Sequence, residues 1–497
     1  VQEVDVVSLL GMGFFGFDWD LKPFALSETV VSWQTSKDRM SDKVVIRDDL
    51  TWSDGHPLTA HDVVFSFQTI MNPRVPVPAM RSQTDKLRWV EAYDDHTLVF
   101  FQREPLATND WNLNFGIIPK HIYENSLKED VTLQRSAYHV KYENDPVTGG
   151  PYIITRRSRG QEILVTARES WYMHSGKQVR PRPYFQQVRF RIIEDPNTAL
   201  LAIKSGQTDE LELQAAQWQD QTSGPDFYRF NTKADGVEWL YFYFGWNNKS
   251  PFFSDVRVRQ AMSYAFDHDE MLNTLCYGLY EPCTGIWHPQ SWMAPKKPTP
   301  RYRQDLDKAE DLLDQAGWED HDGDGTRDKM IGGRLVPFEF SMIVRQDPER
   351  VRICELLKTN LDQIGIVCNV TPMEATVLQQ RMLDHDFQGA YGGWSTGADP
   401  DTAENIWGTG QERNFVQYSN PEVDRLFDLG RKEFDREKRG EIYGRMHELI
   451  YADQPYTFLF FRKSFYGFNK QLRGINFSPR GPYHYNPGMG GIWKALN

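Results

Sequence analysis

Cysteine is scarce in this chain: four among 497 residues, with no Cys-x-x-Cys pair. That excludes a disulfide scaffold and leaves a zinc or iron–sulfur centre without a thiolate framework. Cys354 falls on the apolar stripe of a predicted helix with Val351, Leu357, Leu361 and Ile364, and Cys368 alternates with Ile366 and Val370 on a predicted strand. Both read as small buried hydrophobes. Cys276 and Cys283 flank a turn containing Gly278 and Pro282, where a local disulfide and two free thiols both stay open. Long apolar runs are also missing, and none approaches the ~20 residues that span a membrane. Positive charge is in deficit. A net charge of −13 argues against a nucleic-acid binder, which usually carries a basic patch. The opening Val1-Gln-Glu-Val-Asp5 has neither the basic start nor the apolar core of a signal peptide. That fits a cytosolic protein, a mature secreted protein and a trimmed chain equally.

What is present is ordinary for a globular protein, with 40% hydrophobic and 25% charged residues and length enough for two or more domains. Aromatics reach 13%, with 15 Trp, some of which are candidates to line a pocket. Strand patterns dominate up to about residue 235. Val44–Arg47 reads as a strand, Thr59 caps a helix over 60–71, and 87–93 with 97–101 and 149–155 with 162–168 read as hairpins. Pro196 starts a further helix. Residues 239–244 are aromatic or aliphatic throughout and suit a buried strand, followed by a helix capped at Ser254 or Asp255 and a capping box at Asp267 and Glu270. Strand 338–344, helix 349–364 and strand 366–371 form a βαβ unit, which implies a parallel pair and an α/β lobe. Helices near 422–434 and 436–452 precede the strand 457–461.

Three motifs invite chemistry. Gly11-Met-Gly-Phe-Phe-Gly16 fits the dinucleotide fingerprint, but Pro23 leaves no room for the helix that must follow, so it reads as a loop. Gly393-Trp-Ser-Thr-Gly397 fits a nucleophile elbow at Ser395, with His447 and His484 as the available partners. Composition alone yields such a pattern on the order of 0.15 times in a chain this long, so a serine hydrolase is the rival reading. Asp320-His-Asp322-Gly-Asp324-Gly325-Thr-Arg-Asp328 places oxygen ligands at positions 1, 3, 5 and 9 and Gly at 6 of a calcium loop, with Ile331 where the bidentate Glu belongs. Asp320, Asp322, Asp324 and Asp328 are therefore candidate ligands of a structural calcium. A tight Asp/Gly turn is the alternative.

Several segments together carry a resemblance. They are Val45-Ile-Arg-Asp-Asp-Leu-Thr-Trp-Ser-Asp-Gly-His-Pro-Leu-Thr-Ala-His-Asp-Val-Val-Phe-Ser-Phe67, Gly149-Gly-Pro-Tyr152, residues 197–209, Pro251-Phe-Phe-Ser-Asp-Val-Arg-Val-Arg-Gln-Ala-Met-Ser-Tyr-Ala-Phe-Asp267, the Asp/Gly turn, and Gly393-Trp394 through Ala398-Asp399-Pro400. In order and spacing over 44–470 they resemble the bacterial extracellular solute-binding proteins of family 5, the peptide- and oligopeptide-capturing components of ABC importers. The front departs from the family, because Val1 begins well inside its first segment. A truncated or diverged N-terminus, and a membrane anchor through a missing one, both stay open.

The resemblance implies an α/β, two-lobed periplasmic-binding-protein-like fold of type II, with an extra N-terminal subdomain. Lobe I is expected over 1–240 plus 465–497, with the inserted subdomain at roughly 45–185, and lobe II over 241–464. Chain crossings are expected near 239–246 and 455–465, with hinge closure around a ligand. The protein is expected to be a non-enzymatic, monomeric receptor in the periplasm or outside the cell, working with permease subunits and needing no cofactor. Asp399 is the position implied to pair with a peptide's α-ammonium. Its other reading is a helix cap before Pro400. Arg345 is a candidate for the ligand's carboxylate, and Trp394 and Trp246 for walls of the cleft. Within the same fold, oligosaccharide, nickel and haem receptors are the alternatives.

Overall fold

The computed structural model describes residues 6, 9–19, 21–77, 80, 81, 84–136, 141, 145–397, 399–478, 481–483 and 485–495. Two long strands organise the α/β backbone. Asn231–Trp246 and Tyr456–Asn469 run antiparallel along most of their lengths. At one end Asn231–Val237 pairs with Lys463–Asn469, and at the other Tyr241–Gly245 pairs with Tyr456–Phe461. Between these stretches the register slips, so that Glu238, Trp239 and Leu240 lie opposite Arg462 alone. Extra residues on one strand bend and twist the pair locally. Residues 239–246 and 456–465, from the ranges where chain crossings are expected, lie on these two strands.

The pair sits inside a mixed sheet. Its order is Glu210–Leu213, Tyr456–Asn469, Asn231–Trp246, Gly389–Ser395, Glu339–Arg345 and Val367–Met373, with Glu281–Pro282 added on Tyr456–Asn469. The expected βαβ unit is present. Glu339–Arg345 and Val367–Met373 are parallel neighbours, joined by the helix Pro348–Asp362. Asp347 caps that helix by accepting the N–H groups of Glu349 and Arg350. Strand alternation then sorts the aromatic run. Phe244 and Trp246 point into a core with Phe253, Phe340 and Leu357. Tyr241 and Tyr243 face a second core with Trp394, Trp407, Tyr443 and Tyr456.

The N-terminal half forms smaller units. Strands Val30–Thr35, Ser41–Ile46, Thr97–Gln102 and Leu87–Ala92 make an antiparallel sheet, in that order, and share a core with the helix Ala60–Met71. The start of that helix is fixed by Thr59, whose backbone N–H donates to Asp62 Oδ2 at 2.9 Å. Gln187–Arg191, Glu162–Ala167 and Tyr152–Ser158 make a three-stranded sheet.

The four cysteines are free and buried. Cys276 lies in the Trp246 core and Cys283 in the Trp394 core, so the local disulfide left open by the turn does not form. Gly16 sits in a strand, Phe15–Phe17, that pairs with Pro23–Ala25, so no helix follows the glycine pattern. Part of the apolar run 4–10 before it lies outside the described residues. No helix among the described residues is long and apolar enough to cross a membrane.

Candidate functional site

The two halves of the molecule meet at a polar junction. Leu21 belongs to the core of Trp394, Trp407 and Tyr456, and Trp111 packs against it. The backbone N–H of Ala107 donates to Arg431 O at 2.8 Å. The Arg39 guanidinium lies 4.2 Å from the centre of the Phe434 ring. Residues 107–111 thus face the segment that follows the strand Gly389–Ser395, together with the helices Pro421–Lys432 and Arg436–Asp453.

Glycine positions that segment. A Cβ on Gly392 would come within 2.5 Å of Tyr243, and one on Gly393 within 2.8 Å of Phe242. Only residues without a side chain let these rings lie across the strand. The chain is pinned next by Thr396, whose N–H donates to Trp239 O at 2.7 Å, beside the slipped register. Asp399 then caps the turn Pro400–Ala403 by accepting the Asp401 N–H at 2.9 Å.

Asp399 is buried and already holds a cation. Its Oδ2 and Oδ1 accept from Arg439 Nη1 and Nη2 at 2.6 and 2.8 Å. Burial alone would lower the Arg439 guanidinium, but Asp399 outweighs it and holds the group above its usual range. Arg431 lies 3.2 Å from Asp401 and 2.6 Å from Glu404. Burial raises the Asp401 carboxyl to about 6, with Asp399 and Glu404 adding to the effect and Arg431 opposing it.

Asp110 stands within electrostatic reach of Asp399, in the four-residue helix Asn109–Asn112. No hydrogen bond or ion pair reaches its carboxylate among the described residues. Burial and the charges of Asp42 and Asp399 raise it to about 6, against the pull of Arg39. Thr108 Oγ1, Asn109 Oδ1 and Asn112 Nδ2 are buried beside it, without a hydrogen-bond partner among the described residues. Buried polar atoms left unpaired cost roughly 1–3 kcal/mol each, so this stretch is poorly explained by folding alone.

The other expected residues separate. Trp394 is buried, with Nε1–H donating to Tyr456 Oη at 3.0 Å, and its ring carries the guanidinium of Arg413 at 4.5 Å. Arg413 makes no ion pair among the described residues. Trp246 is fully buried against Phe253 and Phe340, and its Nε1–H donates to Thr457 Oγ1 at 3.1 Å. Its position on the same face as Phe244 makes it core, not a wall of an open cleft. Arg345 is exposed at the end of its strand and makes no ion pair among the described residues. Ser395 is exposed. His447, one partner weighed for it, is occupied elsewhere: Nε2–H donates to Thr284 O at 2.7 Å and Nδ1 accepts the Trp287 N–H at 3.3 Å. His484, the other, lies outside the described residues.

In the Asp loop, ligand atoms of Asp320, Asp322 and Asp328 lie within 4.8 Å of one another. Asp320 accepts the N–H groups of Gly323, Asp324 and Gly325. Asp324 is drawn away to the Thr326 N–H, and Asp328 Oδ1 sits 2.6 Å from His321 Nδ1. Three of the four candidates come together and the fourth does not.

Asp110, Arg413, Arg431 and Arg439 were not singled out from the sequence. Asp110 sits in a stretch without helical or strand periodicity, so no sequence signal marks it. Arg431 and Arg439 look like ordinary charges on amphipathic helices until the fold brings them to Asp399 and Asp401.

The chain matches the family described as bacterial extracellular solute-binding proteins, family 5 middle, over residues 28–415. It is similar to oligopeptide-binding protein AppA of Bacillus subtilis, 28% identical over 451 residues, which are 88% of this chain and 78% of AppA. It is also similar to protein XP55 of Streptomyces lividans, 26% identical over 94% of this chain and 82% of XP55. The structure of Bacillus subtilis AppA in complex with a nonapeptide superposes with a TM-score of 0.83 at 25% identity, covering 100% of this chain and 95% of that one. NikZ from Campylobacter jejuni, in complex with Ni(L-His), shares the fold at a TM-score of 0.81 and 23% identity, over 98% and 94% of the two chains. With the family matched over well more than half its length, the chain belongs to the bacterial extracellular solute-binding proteins of family 5.

Proposed function

We propose that this receptor captures peptides between its lobes and hands them to the permease subunits of an ABC importer, acting as a monomer on the outer side of the cytoplasmic membrane. The observation that carries this reading is the likeness, along the whole chain, to an oligopeptide-binding protein holding a nonapeptide.

The junction has matching chemistry. A peptide ammonium entering there meets two carboxylates, Asp110 and Asp399, of which only Asp399 has a bonded cation. A positive charge relieves their mutual repulsion and offsets the burial of Asp110. Arg413, whose guanidinium lies 4.5 Å from the centre of the Trp394 ring, offers a cation for a carboxylate. Backbone groups can be held as an added strand, and side chains in watery pockets, which gives affinity with low sequence selectivity. A sugar reading depends on exposed stacking rings; at the junction Trp394 and Trp407 are buried and Trp111 is half-buried. The reading needs no cofactor, and the Asp320–Asp328 loop is a candidate for a structural calcium.

Native mass spectrometry of the protein as purified, followed by calorimetry with free and N-acetylated peptides, tests this function. Peptide adducts and a loss of affinity on acetylation are expected. Retained sugars, or equal affinity for both peptide forms, would overturn it.

A further inference from the structure

Far from the Asp399 segment in sequence, two histidines and one carboxylate converge on the surface of lobe I. Asp54 and His56 lie in the turn between Thr51 and Pro57, which bridge to each other. The turn is closed by the Trp52 N–H donating to His56 O at 2.8 Å. Gly55 carries a φ of +91°, which lets the chain double back so that residues 54 and 56 present their side chains together. His121 comes from the first turn of the helix Lys120–Glu129.

The three side chains cluster around the Asp54 carboxylate. His121 Nε2 is 2.7 Å from Asp54 Oδ2, and His56 Nδ1 is 3.3 Å from Asp54 Oδ1. The two imidazole rings stack, with centroids 4.1 Å apart and planes 21° from parallel. One ligand atom from each residue lies within 4.8 Å of the other two. Bonds of about 2.0–2.2 Å at tetrahedral angles place ligand atoms about 3.3 Å apart. The His56 contact, to Oδ1, already has that spacing; the His121 contact, to Oδ2, needs to open by about 0.6 Å, and the stacked rings must tilt for both nitrogens to face one ion.

We propose that Asp54, His56 and His121 form a binding site for a divalent cation of the zinc or nickel type. Two imidazoles and a carboxylate suit such borderline cations, whereas calcium and magnesium prefer all-oxygen sites. The His56 ring is 59% exposed and the other two side chains are under 30%. The partial burial fixes the ligands, and the open side leaves coordination positions to water. A metal here ties the 51–57 turn to the 120–129 helix, two segments far apart in sequence, so its binding energy adds to the stability of the native chain. The proposal is independent of what binds between the lobes.

The competing account is a hydrogen-bonded turn, in which Asp54 merely orients two histidines. Calorimetry of the full chain with ZnCl2, together with melting curves, separates the two. One Zn2+ per chain and a raised melting temperature are expected. His56→Asn should weaken Zn2+ by roughly tenfold or more. His61→Asn, which touches a separate surface pair with Asp95, should change nothing. His56 is exposed, so its replacement leaves the fold intact even where His121→Asn does not. Co2+ in place of Zn2+ should give intense tetrahedral absorption bands that vanish in His56→Asn. Absence of Zn2+ binding, an unchanged affinity in His56→Asn, or loss of the site in His321→Asn instead would overturn the proposal.

Discussion

Arg439 grips both oxygens of Asp399, at 2.6 and 2.8 Å, and both side chains are buried. Removing one member of such a pair strands the other charge, at a typical cost of about 3–5 kcal/mol. Asp399→Ala should therefore lower unfolding stability by that order in urea titrations. Asp399→Asn with Arg439→Met should recover much of it. A neutral single mutant would show that the pair contributes little to the fold and is kept for ligand.

Asp110 gives a pH signature. Its folded carboxyl is raised to about 6, whereas an unfolded aspartate titrates near 3.9. The fold thus favours the protonated form. That contribution is complete below pH 4 and is lost as pH rises through 6. Asp110→Asn should flatten the stability profile between pH 4 and 6 and add about 1–2 kcal/mol above pH 7. In the wild type, a peptide ammonium should expel the proton. Calorimetry at pH 6 in buffers of different ionisation enthalpy should register its release, with none for N-acetylated peptide and none in Asp110→Asn.

Much of the framework was readable without coordinates. Asp267 caps the helix that its spacing to Glu270 announced, and the 338–371 unit is parallel as expected. The long strands were read short. Thr232 to Gly236 is polar and glycine-bearing, and it stays extended because Phe465 to Phe468 pairs with it across the sheet. Local propensity carries no trace of that support. The site was less legible for the same reason. Asp399 stood out by its neighbours in sequence, but its partner lies forty residues further on. Trp246 has the same composition signal as any pocket tryptophan, and only the sheet's two faces assign it to the core.

Trp246 provides a control. Replacing a fully buried tryptophan with alanine typically costs about 3–5 kcal/mol. Trp246→Ala should lose that much stability, while Trp246→Phe should bind peptide as the wild type does. A specific loss of affinity in the phenylalanine variant would return this residue to the ligand.

The Asp loop has a simple readout. Asp320, Asp322 and Asp328 are gathered, but Asp324 is not. If calcium draws the loop together, millimolar CaCl2 should raise the melting temperature and chelator should reverse it. Asp322→Ala should abolish the response. A wild type indifferent to both leaves a hydrogen-bonded turn.

Closure can be read in solution. Saturating peptide should reduce the radius of gyration by favouring the arrangement in which the Ala107–Arg431 and Arg39–Phe434 contacts join the two halves. Phe434→Ala should weaken that compaction. An unchanged radius in the wild type would count against hinge closure.

The strand Tyr456–Asn469 lies between Glu210–Leu213 and Asn231–Trp246, although every partner it bonds precedes it in the chain. On the ribosome, then, the central sheet waits with a gap in its middle until this strand emerges. A nascent chain halted before residue 456 presents the aromatic edge of Asn231–Trp246 to whatever holds unfolded polypeptide.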